Sequence, residues 1–131
     1  MIPVGSFQVL GLNKPVLLVD TRKGYTGMPS NQAGSHDPPT GEILVNLEQA
    51  GEHTSIRETI IHESIHAIIA ATGVQHMLMA ALGYNDEKYE AFEESIVLAM
   101  TPAVNSMLPS LWALLGTSTK IKRALKEMKA L

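Results

Sequence analysis

The residues best equipped for chemistry lie together in His62-Glu63-Ser64-Ile65-His66. Histidines four apart share one helix face, ~6 Å apart along the axis, so both imidazoles can reach one ion. Neutral imidazole suits Zn²⁺. Glu63 leans toward the same ion without having to bind it, and there it can take a proton from water. A shuffled chain of this composition would carry the pattern in roughly one copy in seventy, so its surroundings must add weight. Ile60, Ile61, Ile65, Ile68 and Ile69 would bury most of this helix, and ionisable groups in such a helix need partners. Two buried histidines satisfied by hydrogen bonds alone are the structural alternative.

A zinc site needs a third protein ligand and an open position. The chain has no Cys, so any metal must be held by His, Asp or Glu. No further His lies between residues 67 and 75, which leaves the carboxylates Glu90, Glu93 and Glu94. Glu93, Val97, Met100, Val104 and Leu108 form a stripe at helical spacing that should face the core. Glu93 is therefore the first choice as ligand. Glu94, next to the stripe, is the second, and Glu90 lies a turn earlier. The alternative for all three is a solvated acidic helix start, favoured by the helix dipole, with the ligand role the stronger expectation for Glu93.

The elements that must position these groups fall into two halves. Residues 15–20 read as a buried strand, residues 22–41 as a long loop rich in Gly and Pro, and residues 42–47 as a second strand closed by Gly51. Ser55 and Glu58 have capping-box spacing ahead of a helix that runs to about Thr72, with Gly73 as its C-terminal cap. A short helix over residues 74–82 ends at Gly83. Asn85 or Asp86 caps a third helix reaching about Met107 and bent at Pro102. Pro109 starts a short helix ending at Gly116, and Thr117 or Ser118 caps a terminal basic helix. His36 and His53 fall in loops and receive no role.

The 131 residues make one domain, with 45% apolar residues, 18% charged residues and a net charge of −3. This excludes a disordered tail and a disulfide scaffold. No early positive cluster precedes an apolar stretch, and no apolar run looks long enough to cross a bilayer, so a cytoplasmic protein without a membrane role is expected. Residues 120–131 carry +4, from Lys120, Lys122, Arg123, Lys126 and Lys129 against Glu127, which leaves −7 for the rest. Such a tail can meet nucleic acid or an acidic partner. The simpler expectation is a solvated basic face with Ile121, Leu125, Met128 and Leu131 packed on the other side, which makes nucleic-acid binding the less favoured outcome.

Three segments resemble compact zincin-like metallopeptidases of the gluzincin kind, near the ImmA/IrrE-type peptidases of phages and mobile elements. They are Gly41-Glu-Ile-Leu-Val-Asn-Leu47, Thr59-Ile-Ile-His-Glu-Ser-Ile-His-Ala67 and Glu93-Glu-Ser-Ile-Val-Leu-Ala-Met-Thr-Pro102. The resemblance implies an α+β fold: a short N-terminal sheet with an edge strand, then an active-site helix, a ligand helix and C-terminal helices. It implies His62 and His66 as zinc ligands, a Glu of the 93–94 pair as the third, and Glu63 as catalytic base in peptide-bond hydrolysis. The strand at residues 43–47 would be the edge strand beside the cleft, able to pair with an extended peptide or protein substrate.

The donor that stabilises the oxyanion is open among Tyr84, Tyr89, Tyr25 and His76. So small a domain has little room for a deep pocket, and a second copy or partner would then complete its cleft. Residues 76–79 and 107–115, rich in Met and Leu, could supply that surface, although core packing is their ordinary use. The competing expectation is a vestigial binding module. In it a structural metal gains a fourth ligand, for instance His76 or Asp86, and the basic helix holds a nucleic-acid or protein partner.

Overall fold

The computed structural model describes residues 1–37, 39–116 and 119–130. The expected helix caps Thr117 and Ser118 and the apolar Leu131 lie outside them. The fold is α+β: a four-stranded mixed sheet followed by four helices. In chain order they are β1 (Ile2–Val9), β2 (Leu12–Val19), a short 3₁₀ turn (Thr21–Lys23), β3 (Gly34–His36), β4 (Ile43–Asn46), α1 (His53–Ala71), α2 (Val74–Ala81), α3 (Asp86–Gly116) and α4 (Thr119–Ala130). The sheet order is β1-β2-β4-β3, with β2 and β4 parallel and both outer pairs antiparallel.

This order corrects the placement of the edge strand. Residues 43–46 are interior, paired on both sides, and the edge beside α1 is β3. Gly-Ser-His has no strand propensity of its own, so the segment reads as loop. It becomes a strand because β4 supplies a template: Asn46 N donates to Ala33 O at 2.8 Å and Asp37 N to Glu42 O at 3.0 Å. β1 also escapes a hydrophobicity reading, because nearly all of it is exposed and it is held mainly by pairing with β2. The two-residue turn between them has Leu10 and Gly11 at positive φ, as a tight hairpin requires.

Strand alternation gives the sheet two covered faces. On one, Val19 and Leu44 pack with Met28, Leu17 and Tyr25. Asn46, fully buried, pins the overlying segment there by donating to Gln32 O and by accepting from the Thr21 backbone N–H. The other face carries Val16, Ile43 and Val45, all buried, beneath α1. The far side of α1 meets α3 through Ile61, Ile65 and Ile69, one turn apart, closing on Val97 with Val104 and Leu108 alongside. The expected stripe on α3 is thus the packed face, except that Met100 is exposed.

Helix boundaries differ from the sequence reading in two places. Helix α1 begins at His53 with Glu52 in the cap position and no side-chain cap bond, so Ser55 already lies inside the helix and forms no capping box. Helix α3 continues through both Pro102 and Pro109 to Gly116. A proline removes one helical hydrogen bond but does not have to end a helix whose flanking residues favour it. The caps at Gly73, at φ 78°, and at Asn85, whose Oδ1 accepts from Lys88 N at 3.0 Å, are as expected. Among the described residues α3 is long and apolar enough to cross a membrane, contrary to the expectation; α1 and α2 would join it only if counted as one span bent by 79°.

Gly34 sets how closely α1 approaches the edge strand. A Cβ there would lie 2.5 Å from Thr59 Cγ2, 3.1 Å from Leu44 O and 3.2 Å from Glu63 Cγ. Gly34→Ala should therefore cost about 1–3 kcal/mol of stability. Thr59→Ser removes the nearest methyl but keeps the hydroxyl bond to Ser55 O, so it should recover part of that loss. Thermal melts of both single variants and the double variant check this, and an unchanged melting temperature for Gly34→Ala would contradict it.

Candidate metal centre

Helix α1 places His62, Glu63 and His66 on the side facing α3 and the edge strand. The His62 and His66 rings are 5.1 Å apart, centre to centre, and inclined at 62°. Both Nε2 atoms converge on one carboxylate. Glu94 Oε1 lies 3.0 Å from His62 Nε2, and Glu94 Oε2 lies 3.0 Å from His66 Nε2. These three side chains each offer one donor atom, and the donor atoms lie within 4.8 Å of one another.

The helical stripe favours Glu93 over Glu94, and the structure divides their places differently. Glu93 does point inward, with a side chain 19% exposed against 46% for Glu94. It stands behind His66 rather than between the histidines: Glu93 Oε2 is 2.8 Å from His66 Nδ1. Buried Tyr89, one turn earlier, donates its hydroxyl to Glu93 Oε1. Burial, then the bond to Glu93 and its charge, hold the Tyr89 phenol well above its ordinary range, so it stays a donor. A carboxylate on Nδ1 orients the imidazole and turns Nε2 toward Glu94. Glu93, the more inward of the two adjacent glutamates, thus backs His66, while its half-exposed neighbour reaches the point between the two imidazoles.

Glu63 lies next to this point, with Oε1 4.0 Å from His62 Nε2. Its side chain is buried between α1 and the edge strand. Burial pushes its carboxyl up to about 7, with Glu94 adding to the rise and His66 opposing it. Burial is also the main cause that holds His62 below its ordinary value.

Two open cavities meet at these residues. One, of about 690 Å³, is bordered by Gln32, Gly34, His62, Glu63, Glu94 and Thr101. The other, of about 310 Å³, is bordered by Gln32, His36, Glu63, His66, Glu93 and Glu94. The edge strand runs along both. None of Tyr25, Tyr84, Tyr89 and His76 borders either cavity. Tyr25 packs behind the sheet, Tyr84 and His76 are exposed, and Tyr89 is committed to Glu93. Glu90 and Asp86 are exposed, and neither they nor His76 belongs to the convergent group.

His36 is the site residue that the sequence reading missed. It sits on the edge strand because β4 makes residues 34–36 a strand, and no local signal announces that. Lys14, almost fully buried, reaches it from β2, with Nζ 3.4 Å from His36 Nε2. An ammonium only donates, so His36 Nε2 accepts and the proton of the neutral ring sits on Nδ1. Gly41, beside Lys14, is held at φ 72°, where a Cβ would also come 3.1 Å from Asn13 O. Burial, then the charges of Lys14 and His66, hold His36 below its ordinary value.

The raised Glu63 carboxyl has a consequence for the metal-free chain. Between its ordinary value of 4.5 and about 7 the folded chain keeps a proton that the unfolded chain releases, so stability falls as pH rises through that window. The contribution is at most ~3 kcal/mol. His62, shifted down, acts in the opposite sense, so the comparison with Glu63→Gln isolates the Glu63 part. In chelator, the melting temperature of the parent chain should decline relative to that of Glu63→Gln between pH 5 and pH 7.5 (roughly the titration window). Parallel pH profiles would contradict the assignment.

No family model matches the chain, and neither a curated protein nor a solved structure matches it at a significant level. The convergence of His62, His66 and Glu94 is therefore what bears on function.

Proposed function

We propose that the chain is a zinc-dependent peptidase with a zincin-like site in which His62, His66 and Glu94 hold the ion and Glu63 is the general base. The observation that carries this reading is the meeting of two imidazole Nε2 atoms from one helix and a carboxylate from another beside a second, buried carboxyl, Glu63. Ligands ~2.0–2.1 Å from one tetrahedral ion stand roughly 3.4 Å apart, a spacing that small side-chain rotations reach from the present one. Two nitrogens and one oxygen suit zinc, and three protein ligands leave one position open. A closed structural site would need a fourth ligand, and neither His76 nor Asp86 is in the group.

The bound ion would lower the pKa of water toward ~7 and polarise a substrate carbonyl. Each other part has a role that its surroundings favour. Glu93 and Tyr89 orient His66. Glu63, with a carboxyl displaced toward neutrality, takes the proton during attack and passes it to the leaving amine. His36 offers a neutral Nδ1–H on the edge strand, available to a substrate carbonyl. The backbone of β3 favours an extended substrate: residues 33, 35 and 37 bond toward β4, so Gly34 and His36 direct their backbone groups to the open side, where a substrate N–H would displace the Gln32 side-chain amide that donates to Gly34 O at 2.7 Å.

Glu63→Gln should bind zinc like the parent chain but lose about 10²–10⁴-fold in turnover of a peptide library. Undiminished cleavage would remove Glu63 from the mechanism. The two glutamates separate by zinc titration. Glu94→Ala should abolish stoichiometric binding, whereas Glu93→Ala should weaken it roughly 10–100-fold, as loss of an orienting partner does. Equal effects, or a greater loss for Glu93→Ala, would overturn the assignment of roles.

A further inference from the structure

Helix α4 has an apolar face that none of the described residues buries. Ile121, Leu125 and Met128 are 47%, 54% and 68% exposed, and no residue of α4 is buried. The expectation that these residues pack against the body is not met. Beside them, the end of α3 exposes Trp112, Leu114 and Leu115, with Trp112 76% exposed. Within residues 107–115, core packing therefore holds for Leu108, which lies against the α1 seam, but not for Met107, Trp112, Leu114 and Leu115. From Ser95 to Thr119 the chain carries no charge, and then five basic residues follow within ten positions against one acid.

We infer that the end of α3 and helix α4 form a docking surface for an anionic lipid bilayer, lying in its interface with the apolar face down. The arrangement of charge argues for this occupant. At about 100° per residue, Lys122 and Lys129 flank the apolar stripe on one side and Lys120 on the other, where long stems can lie along hydrocarbon and lift the ammonium groups to the headgroups. An anionic surface meets both the stripe and its cationic borders. A symmetric pairing of α4 with a second copy would bury the stripe but bring like charges together. A nucleic acid would satisfy the charges and leave the apolar face wet. The surface lies on the bilayer and does not span it, because Val97, Val104 and Leu108 hold the preceding part of α3 against Ile61, Ile65 and Ile69 of α1. The inference is independent of the peptidase reading.

Trp112 is the chain's sole tryptophan and sits within the surface, so it reports directly. The full chain should float with phosphatidylglycerol/phosphatidylcholine vesicles, with a blue shift of Trp112 emission, and should not float with phosphatidylcholine alone. Raising salt should weaken binding. The triple variant Ile121→Ser, Leu125→Ser, Met128→Ser and the triple variant Lys122→Gln, Lys126→Gln, Lys129→Gln should each lose roughly tenfold or more in vesicle affinity. Both sets are exposed, so the melting temperature should hold. Absence of flotation would overturn the inference. So would a blue shift that depends on protein concentration alone with doubled mass in sedimentation, which identifies a second copy as the occupant. Binding to a DNA duplex, lost in the lysine variant but not in the apolar one and without change in Trp112 emission, would overturn it in favour of nucleic acid.

Discussion

The register between α1 and α3 is the constraint on which the site depends. Ile61, Ile65 and Ile69 recur every fourth residue along α1 and lock onto Val97. That seam fixes the height of α3 relative to α1, and so brings Glu94, three residues before Val97, level with the two imidazoles. Arg57, whose Nε donates to Asn105 Oδ1 at 2.6 Å, ties the same two helices beside the start of α1. Apolar packing thus does the positioning, and the polar groups meet as its consequence. Bringing ionisable groups together in a half-buried place is costly without partners: Glu94 lies against two imidazoles and Glu93 against an imidazole and a phenol, whereas Glu63, 4.0 Å from the His62 ring nitrogen, meets the cost with a raised carboxyl.

A second constraint acts from the sheet. α1 can approach β3 only because residue 34 lacks a side chain, and the close approach buries the stem of Glu63 beneath the edge strand. The burial that raises the Glu63 carboxyl is thus set by a glycine elsewhere in the chain. On the same strand, two residues on, His36 takes its orientation from Lys14, which sits beside Gly41. Gly34, in a segment without strand propensity, therefore shapes the wall of the cleft.

The sequence revealed what is local and missed what is made by pairing. His62, Glu63 and His66 lie within one turn of a helix whose isoleucines announce themselves, and the stripe through Val97, Val104 and Leu108 is a helical period. Both are properties of short stretches. Glu93 and Glu94 are adjacent, and a stripe can say which points inward but not which stands in front of an imidazole that another helix supplies. β3 exists through β4, and β1 through β2, so neither carries a signal in its own residues. The amphipathic pattern of α4 is plain in the sequence, but a pattern presumes a partner and cannot say whether the fold provides one. Here Ile121, Leu125 and Met128 face outward.

The proposed centre makes a definite statement about atoms around an ion. X-ray absorption at the zinc edge on the chain loaded with one equivalent of zinc tests it most directly. The account predicts a light-atom shell at ~2.0–2.1 Å that includes two imidazoles, recognisable by their outer-shell scattering. A spectrum lacking imidazole scattering, or one requiring four protein nitrogen ligands, would contradict it.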